Sequence, residues 1–414
     1  MINYKQKIFD NGLTVIVNRD GVSKLAAVNM LYKVGARNED SSRTGFAHLF
    51  EHLMFRGTAA NPNFDVKVQL ASGENNAFTN NDYTDYYITL PLVNIEVALE
   101  LEADRMRGLA LTPEKLETEK LVVVEEYKQR YLNQPYGDTI MLLRDMCYKQ
   151  HPYRWATIGL SPDHILEATM EDVESFYNMH YCPSNCILSI SANMAEEEMF
   201  AIAEKWFGEI EDTGTQKKAI PAEPEQVEPR RVEVERDVPV THVTIAFPMP
   251  ERKSRGFHIA DIASDLLAGG DSGRLYQRLV KKAGLFSSVN AYITGDCDPG
   301  LFLFTAQLLP TTTVEQAEAA LWEQIELLKV EGASDYELEK VKNKFEANTL
   351  FGEINVMNKA MNLGFYSMLG DITIVNREVD IYRSLTSADI TDFCKKTFTH
   401  NRSNTLIYRD RNEQ

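Results

Sequence analysis

Two histidines and a glutamate in one short segment have the types and spacing of a metal-dependent hydrolase. The segment GFAHLFEHLMFRGT contains His48, Glu51 and His52 in an H-x-x-E-H arrangement. If it is helical, His48 and His52 stack one turn apart and Glu51 lies on the same side. Two imidazoles at that spacing can bind one tetrahedral zinc ion, each at about 2.0–2.1 Å. Glu51 is then placed to take a proton from the attacking water instead of binding the ion.

The residues around this motif favour a buried helix over a surface helix with two chance histidines. Apolar side chains surround the motif on nearly every side: Phe46, Leu49, Phe50, Leu53, Met54 and Phe55. A helix that is apolar all round is typical of a protein interior. Two imidazoles and a carboxylate need a polar partner there, and a metal ion is the partner that this spacing predicts.

A third ligand is expected, because a hydrolytic zinc ion takes three protein ligands and keeps one position open. The best source is the segment KLETEKLVVVEEYKQR. Projected at about 100° per residue, Glu119 and Glu126 lie two turns apart on one mostly apolar face, which also carries Val122. Glu125 points away from that face. We therefore predict Glu126 as the third ligand and Glu119 as a group beside the ligands. The alternative is a surface helix with an imperfect apolar stripe.

These motifs resemble the pitrilysin family of zinc peptidases, the inverzincins, which includes insulin-degrading enzyme and the mitochondrial processing peptidase. The family places a ligand Glu on a helix well downstream of H-x-x-E-H, with another Glu two turns before it, and Glu126 and Glu119 match these positions. The resemblance covers nearly the whole chain. It implies one Zn²⁺ per chain, with Glu51 and Glu119 in catalytic roles and His48, His52 and Glu126 as ligands.

The segment SGENNAFTNNDYTDYYITLP is similar to the family's G-x-x-N-A-F-T strand. In family members the edge of that strand pairs with the backbone of the substrate, a mode suited to an extended peptide. The resemblance therefore implies that the substrate-binding residues are Asn76, Ala77, Phe78 and Thr79. The alternative is a core strand that ends in a turn at residues 80–81.

The second half departs from the family pattern at one position. Active members place an Arg and, a few residues later, a Tyr opposite the zinc; Arg278 matches the first, but Leu285 stands at the second. A Leu side chain cannot donate a hydrogen bond to a carbonyl or oxyanion. Half-size members work as two-chain clamshells. The resemblance therefore implies a zinc-bearing subunit with a second chain of the same family as partner, and it favours a heterodimer over a homodimer.

Strand-like and helix-like segments alternate in both halves of the chain. The Pro-rich, charged stretch 213–231 reads as a linker, so we predict domains at 1–212 and 232–414. Residues 232–250 read as paired strands. The expected fold class is α+β, with two similar α/β-sandwich domains, each a mostly antiparallel sheet packed with helices as in the processing peptidases.

Charge and hydropathy exclude several functions. The formal net charge of −18 repels phosphate backbones and anionic lipid, so neither nucleic acid nor a membrane is an expected partner. No apolar run approaches the ~20 residues of a membrane helix. The first residues lack the features of a signal peptide. We expect a soluble, cytoplasmic protein, or a periplasmic one if a signal peptide has been removed.

The combined expectation is a zinc-dependent endopeptidase that cleaves unfolded peptides inside a clamshell chamber. Two alternatives remain. One is an iron-dependent lyase, because an H-x-x-E-H helix with a Cys as third ligand occurs in a family of much shorter proteins. The other is a subunit that is inactive alone, either for lack of its Arg- and Tyr-bearing partner or because its role is structural.

Overall fold

The computed structural model describes residues 1–214 and 219–411. Residues 215–218 of the predicted linker lie outside the described residues. The chain divides into two compact units: the first comprises residues 1–128, 155–221 and 350–376, and the second comprises residues 129–154, 222–349 and 377–414. Each unit therefore takes segments from both halves of the sequence, and the predicted boundaries at 212 and 232 remain a prediction.

The strands of the described residues form two sheets. They are β1 (Lys5–Ile8), β2 (Thr14–Arg19), β3 (Leu25–Tyr32), β4 (Glu74–Thr79), β5 (Thr84–Pro91), β6 (Cys186–Ala192), β7 (Arg230–Arg236), β8 (His242–Pro248), β9 (Phe286–Ile293), β10 (Leu301–Leu308) and β11 (Asn404–Asp410).

The helices follow in the same numbering. They are α1 (Phe46–Leu53), α2 (Phe64–Leu70), α3 (Ile95–Arg107), α4 (Pro113–Tyr127), α5 (Thr139–Cys147), α6 (Pro162–Leu166), α7 (Met170–His180), α8 (Glu196–Phe207), α9 (Arg255–Ala268), α10 (Val314–Glu331), α11 (Asp335–Gly352), α12 (Val356–Met368), α13 (Glu378–Arg383) and α14 (Ser387–Thr397). None of the helices in the described part of the chain is long and apolar enough to cross a membrane.

The first unit is built on a six-stranded sheet with strand order β1-β2-β6-β3-β5-β4. Helices cover both faces. The guanidinium of Arg105 on α3 lies over the ring of Tyr86 on β5, whereas the next residue, Tyr87, packs with Ala360 of α12 on the opposite face. Successive side chains of a strand point to opposite faces, so β5 separates the two helices. The sheet ends at β4, and among the described residues no strand pairs with the outer edge of β4.

The second unit is built on a five-stranded sheet with strand order β7-β11-β8-β10-β9. The strands predicted over 232–250 are present, but the prediction that they pair with each other is wrong. The C-terminal strand β11 lies between them, parallel to β7 and antiparallel to β8. Leu406, Ile407 and Tyr408 of β11 are each at most 1% exposed. A strand this apolar is more stable in the middle of a sheet than at its edge.

The two sheets share one topology, which confirms the predicted pair of similar α+β domains. In the first, β6 runs parallel to β2 and antiparallel to β3, as β11 does between β7 and β8. Both sheets end in an edge strand with a similar local sequence, Asn76-Ala77-Phe78 in β4 and Asn290-Ala291-Tyr292 in β9. In each, the Asn side chain accepts a hydrogen bond from the following Ala amide at 2.9 Å.

Candidate metal centre

The H-x-x-E-H segment forms α1, and its start is fixed by a buried carboxylate. Gly45 precedes the helix with a φ of +92°, a conformation that strongly favours glycine. The carboxylate of Glu39 accepts hydrogen bonds from the amides of Gly45 at 2.9 Å and Ala47 at 2.8 Å. An anion at a helix N-terminus satisfies amides that have no partner within the helix. Glu39 therefore sets the direction in which α1 presents its polar side chains.

The three predicted ligands lie together. Oε2 of Glu126 is 3.6 Å from Nε2 of His48 and 3.4 Å from Nε2 of His52, and one donor atom from each residue lies within 4.8 Å of the other two. Within the described ranges, this group is the cluster of His, Cys, Asp and Glu residues that could hold a metal ion. It contains no cysteine, which weighs against the iron-lyase alternative.

The spacing of these donors fits zinc. Two ligands at about 2.0–2.1 Å from a tetrahedral ion lie roughly 3.3 Å apart, close to the two nitrogen–oxygen distances found here. Two imidazoles and one carboxylate are also a ligand set of catalytic zinc sites, which leave a fourth position open. The described residues therefore fit a zinc ion, and their roles as ligands remain a prediction.

Glu51 points from α1 toward the edge strand. Interactions with the side chain and the backbone of Thr79 lower the pKa of the Glu51 carboxyl group. Burial raises the pKa of Glu51. Thr79 and the nearby positive charge of His52 lower this pKa, but by less than burial raises it. A carboxyl with a raised pKa holds a proton more readily, which suits a group that must accept one and pass it on.

Glu119 lies behind His52. Its Oε2 is 3.5 Å from Nδ1 of that ring, whereas Nε2 faces Glu126. Its Oε1 pairs with the guanidinium of Arg56, and the Glu119 side chain is 1% exposed. Burial lowers the pKa of His52, but hydrogen bonds to the two carboxylates outweigh it and raise that pKa to about 9. Metal binding requires the neutral imidazole, so an ion competes with a proton for this ring.

Helix α4 carries Glu119 and Glu126, as predicted from its apolar stripe. Thr112 caps the helix by accepting a hydrogen bond from the amide of Lys115, and Pro113 occupies its first turn. Glu125 points to solvent and pairs with Lys128 at 2.5 Å. Val122 was expected on the buried stripe but is 42% exposed, because it lies at the margin of the stripe and not on its centre line.

The unpaired edge of β4 presents backbone donors beside Glu51. The amide of Asn80 bonds the carbonyl of Tyr83 at 3.1 Å and closes the hairpin. Hydrogen-bonded and non-hydrogen-bonded pairs alternate in an antiparallel ladder, so the pairs Thr79–Thr84 and Ala77–Tyr86 are non-hydrogen-bonded. The amides of Ala77 and Thr79 therefore point away from β5. The first donates to the side chain of Asn76, and the second lies beside Glu51.

The predicted substrate-binding residues are therefore split between two faces. Ala77 and Thr79 share the face that meets α1, where Thr79 Oγ1 lies 3.5 Å from the carbonyl of Ala47. Asn76 and Phe78 point to the other face. The ring of Phe78 contacts Tyr83, which in turn contacts Phe365 of α12. Their role in binding a substrate remains a prediction.

Two family models match the chain. The one described as "Insulinase (Peptidase family M16)" matches residues 14–154, and the one described as "Peptidase M16 inactive domain" matches residues 167–345. The chain belongs to the M16, or pitrilysin, family. The resemblance drawn from the sequence motifs is thereby confirmed, and the chain is a half-size, two-domain member of the family.

Relatives and solved structures agree with this family. The chain is 29% identical to "Zinc protease PqqE" of Helicobacter pylori over 407 residues, which cover 96% of this chain and 91% of the relative. It is 24% identical to an uncharacterized zinc protease of Rickettsia felis over 414 residues, which cover 98% and 97%. The crystal structure of a protease from Helicobacter pylori matches with a TM-score of 0.93 at 28% identity, over 99% of this chain and 100% of that one.

A further match shows the fold alone. The crystal structure of a peptidase M16 inactive domain from Pseudomonas fluorescens has a TM-score of 0.88 at 16% identity and covers 100% of this chain and 99% of that one. The match agrees with the two-domain fold described above.

The second unit contains the two positions compared with the family's Arg and Tyr, Arg278 and Leu285, of which only Leu285 departs from the pattern. Arg278 donates to Gln324 at 3.2 Å and pairs with Glu331 at 3.2 Å. Leu285 is partly buried against the apolar core of this unit. Its backbone carbonyl accepts a hydrogen bond from Thr312 Oγ1 at 2.8 Å, so position 285 is held by its backbone while its side chain packs with apolar neighbours.

Sequence reasoning missed Arg56. A signal was present, because Arg56 follows His52 by one helical turn and stands directly after an otherwise apolar helix. A cation in that place indicates a buried anion nearby. The anion is Glu119, which comes from a distant segment of the chain.

Proposed function

We propose that this chain is a zinc-dependent endopeptidase that cleaves unfolded peptides. The observation that carries the proposal is the cluster of His48, His52 and Glu126, whose donor atoms lie within 4.8 Å of one another. The family supports it, since relatives are named zinc proteases. One zinc ion per chain would occupy this cluster.

The residues around the cluster have distinct roles in the proposed reaction. A zinc ion would supply a Lewis acid that polarises the scissile carbonyl and lowers the pKa of water. Glu51 takes the proton of the attacking water and passes it to the leaving amine. Glu119 holds the ring of His52 through Nδ1, 3.5 Å away, and thereby fixes the nitrogen that faces the ion.

The edge of β4 binds the substrate in the proposed mechanism. A carbonyl of an extended peptide added along this edge would accept a hydrogen bond from the amide of Ala77. That amide donates to the side chain of Asn76 in the structure. Strand addition supplies main-chain hydrogen bonds that do not depend on the peptide's sequence. The peptide would then pass Thr79 and reach Glu51, since these two residues interact with each other.

A second candidate function is a zinc-binding subunit that needs a partner. Leu285 favours it, because this side chain packs in the apolar core and has no group that could donate to a substrate carbonyl. We propose a heterodimer in which a second chain of the same family supplies the Arg and Tyr. A purely structural subunit is less favoured, because the metal-binding residues are all present.

The location of the protein is also a proposal. We propose the cytoplasm. A solved relative of the same fold is described as the periplasmic protease PqqL from Escherichia coli, at 16% identity. Fractionation of the source cells with a periplasmic and a cytoplasmic marker enzyme distinguishes the two compartments.

The test is zinc content combined with cleavage of a quenched fluorescent peptide library by the purified chain, with and without a chelator. One equivalent of zinc and chelator-sensitive cleavage support the peptidase. Zinc without cleavage supports the second candidate, for which Leu285→Tyr should raise the turnover of the isolated chain. Absence of bound zinc after incubation with excess metal contradicts both.

A further inference from the structure

Arg56 lies in the turn that follows α1 and reaches back to the metal centre. Its guanidinium pairs with Oε1 of Glu119; the Arg56 side chain is 43% exposed, whereas that of Glu119 is 1% exposed. The other oxygen of Glu119, Oε2, lies 3.5 Å from Nδ1 of His52. One carboxylate thus connects a surface cation to a predicted ligand.

The backbone of this turn is held on the same helix that carries Glu119. Nζ of Lys115, in the first turn of α4, donates to the carbonyl of Arg56 at 2.9 Å. The amide of Ala110 donates to the carbonyl of Gly57 at 3.1 Å. Gly57 has a φ of +79°, and a Cβ there would lie 2.5 Å from the carbonyl oxygen of Pro62. The turn therefore has little freedom, and it presents Arg56 to Glu119 from a fixed position.

We propose that Arg56 is a positioning residue for the metal centre. It fixes the carboxylate of Glu119 so that Oε2 faces Nδ1 of His52, and it thereby sets how well His52 binds the ion. The inference rests on the proposed function, because it concerns zinc binding at the same centre. In this proposed role, Arg56 does not contact the zinc ion and acts only through Glu119.

The chemistry of the pair supports this role. A buried carboxylate is stable when a cation or several donors satisfy it, and Arg56 supplies that cation. Arg56 lies against one oxygen of that carboxylate, Oε1, and leaves Oε2 to His52. Without Arg56, the side chain of Glu119 would be free to rotate away from His52, and the ring would lose the acceptor that orients it.

A simple charge effect predicts the opposite result, which makes the inference testable. Arg56 is a positive charge near the site of a dication, so its removal by itself should tighten zinc binding through reduced repulsion. A positioning role predicts weaker binding instead. The sign of the change in zinc affinity therefore separates the two.

The experiment measures the affinity of the metal-free full chain for zinc, in competition with a chromogenic chelator. The variants are Arg56→Met, Arg56→Lys, Glu119→Gln and the double variant, with Arg43→Met as the matched control. Arg43 also pairs with a carboxylate, that of Asp172, and is 50% exposed. Thermal unfolding of each metal-free variant establishes that it is folded.

We expect Arg56→Met to weaken zinc binding by about 10-fold, at the lower end of what outer-shell changes cost. Arg56→Lys should recover part of the loss, and Arg43→Met should bind zinc as the wild type does. In the Glu119→Gln background, Arg56→Met should change the affinity by less than about 2-fold, because the group through which it acts is gone.

Unchanged or tighter zinc binding in Arg56→Met overturns the inference, and so does a full additional loss in the double variant. Either result leaves the proposed function intact as long as the wild type binds one equivalent of zinc. A wild-type chain that binds no zinc is a different failure, because it overturns the proposed function and this inference together.

Discussion

The amide of Ala77 donates to the side-chain oxygen of Asn76 at 2.9 Å. The outward donor of an edge strand is thus satisfied within its own strand while no peptide is bound. Such a bond is local and easily exchanged for one to an incoming carbonyl, because the Asn side chain can rotate toward water. Ala291 and Asn290 repeat the arrangement at 2.9 Å on the second sheet.

Replacing Ala77 with proline should weaken peptide cleavage without unfolding the chain. Proline removes the outward donor and is tolerated on an edge strand whose N–H points away from the sheet. We expect kcat/KM to fall about 5-fold, the value of one hydrogen bond of roughly 1 kcal/mol, mainly through KM. Steady-state kinetics on one fluorogenic peptide measures this, and Ala77→Ser, which keeps the N–H, serves as control. Equal values for both variants would contradict binding along this edge.

Changing Glu51 to Gln should abolish turnover and keep the metal. Glutamine keeps the size of the side chain but cannot take a proton, and general-base catalysis is worth about 10²–10⁴ in rate. Zinc content should stay at one equivalent, since Glu51 is not among the three clustered donors. Near wild-type cleavage by this variant would rule out Glu51 as the base.

Changing Glu126 to Gln should instead remove the metal. Its Oε2 lies 3.4 Å from Nε2 of His52, and a neutral amide is a weaker zinc ligand than a carboxylate. We expect zinc affinity to fall by more than the ~10–100-fold typical of groups outside the ligand shell, and cleavage to fall with it. The matched control is Glu125→Gln, since this neighbour pairs with Lys128 at the surface. Similar zinc affinities in the two variants would exclude Glu126 as a ligand.

The site was predictable where its geometry lies within a single helix. The helical period alone places His48 over His52 and Glu119 on the same side as Glu126. The contact between α1 and α4 was predictable from the chemistry of their side chains, because buried imidazoles and buried carboxylates each need a polar partner. Arg56 was not predictable in this way, since its role depends on a contact between the end of α1 and the middle of α4.

The sequence predicted mostly antiparallel sheets packed with helices, but it did not predict the order of the strands. Alternating apolar residues identified most strands, but strand order depends on long-range pairing that periodicity does not encode. Residues 232–250 gave two strands that do not pair, since β11 from the end of the chain lies between them. Likewise, nothing in the sequence of α12 indicated that Ala360 would pack against Ala27 of the first sheet.

Removing one partner of the buried ion pair on α3 should destabilise the first unit. Arg105 is 1% exposed and forms two hydrogen bonds, of 2.7 Å and 2.6 Å, with the fully buried carboxylate of Glu102. Its guanidinium also lies 4.7 Å from the centre of the Phe64 ring and 4.3 Å from that of Tyr86. Arg105→Met leaves Glu102 as an unpaired buried charge, which costs about 3–5 kcal/mol of unfolding free energy.

Urea unfolding followed by circular dichroism measures this loss. The double variant Arg105→Met with Glu102→Leu should recover part of it, because an apolar pair leaves no unpaired charge. The control is Glu100→Gln on the same helix, whose partner Lys67 is 36% exposed, and we expect a loss of at most about 1 kcal/mol there. If Arg105→Met and Glu100→Gln cost the same, burial would not be the reason that the Arg105–Glu102 pair matters.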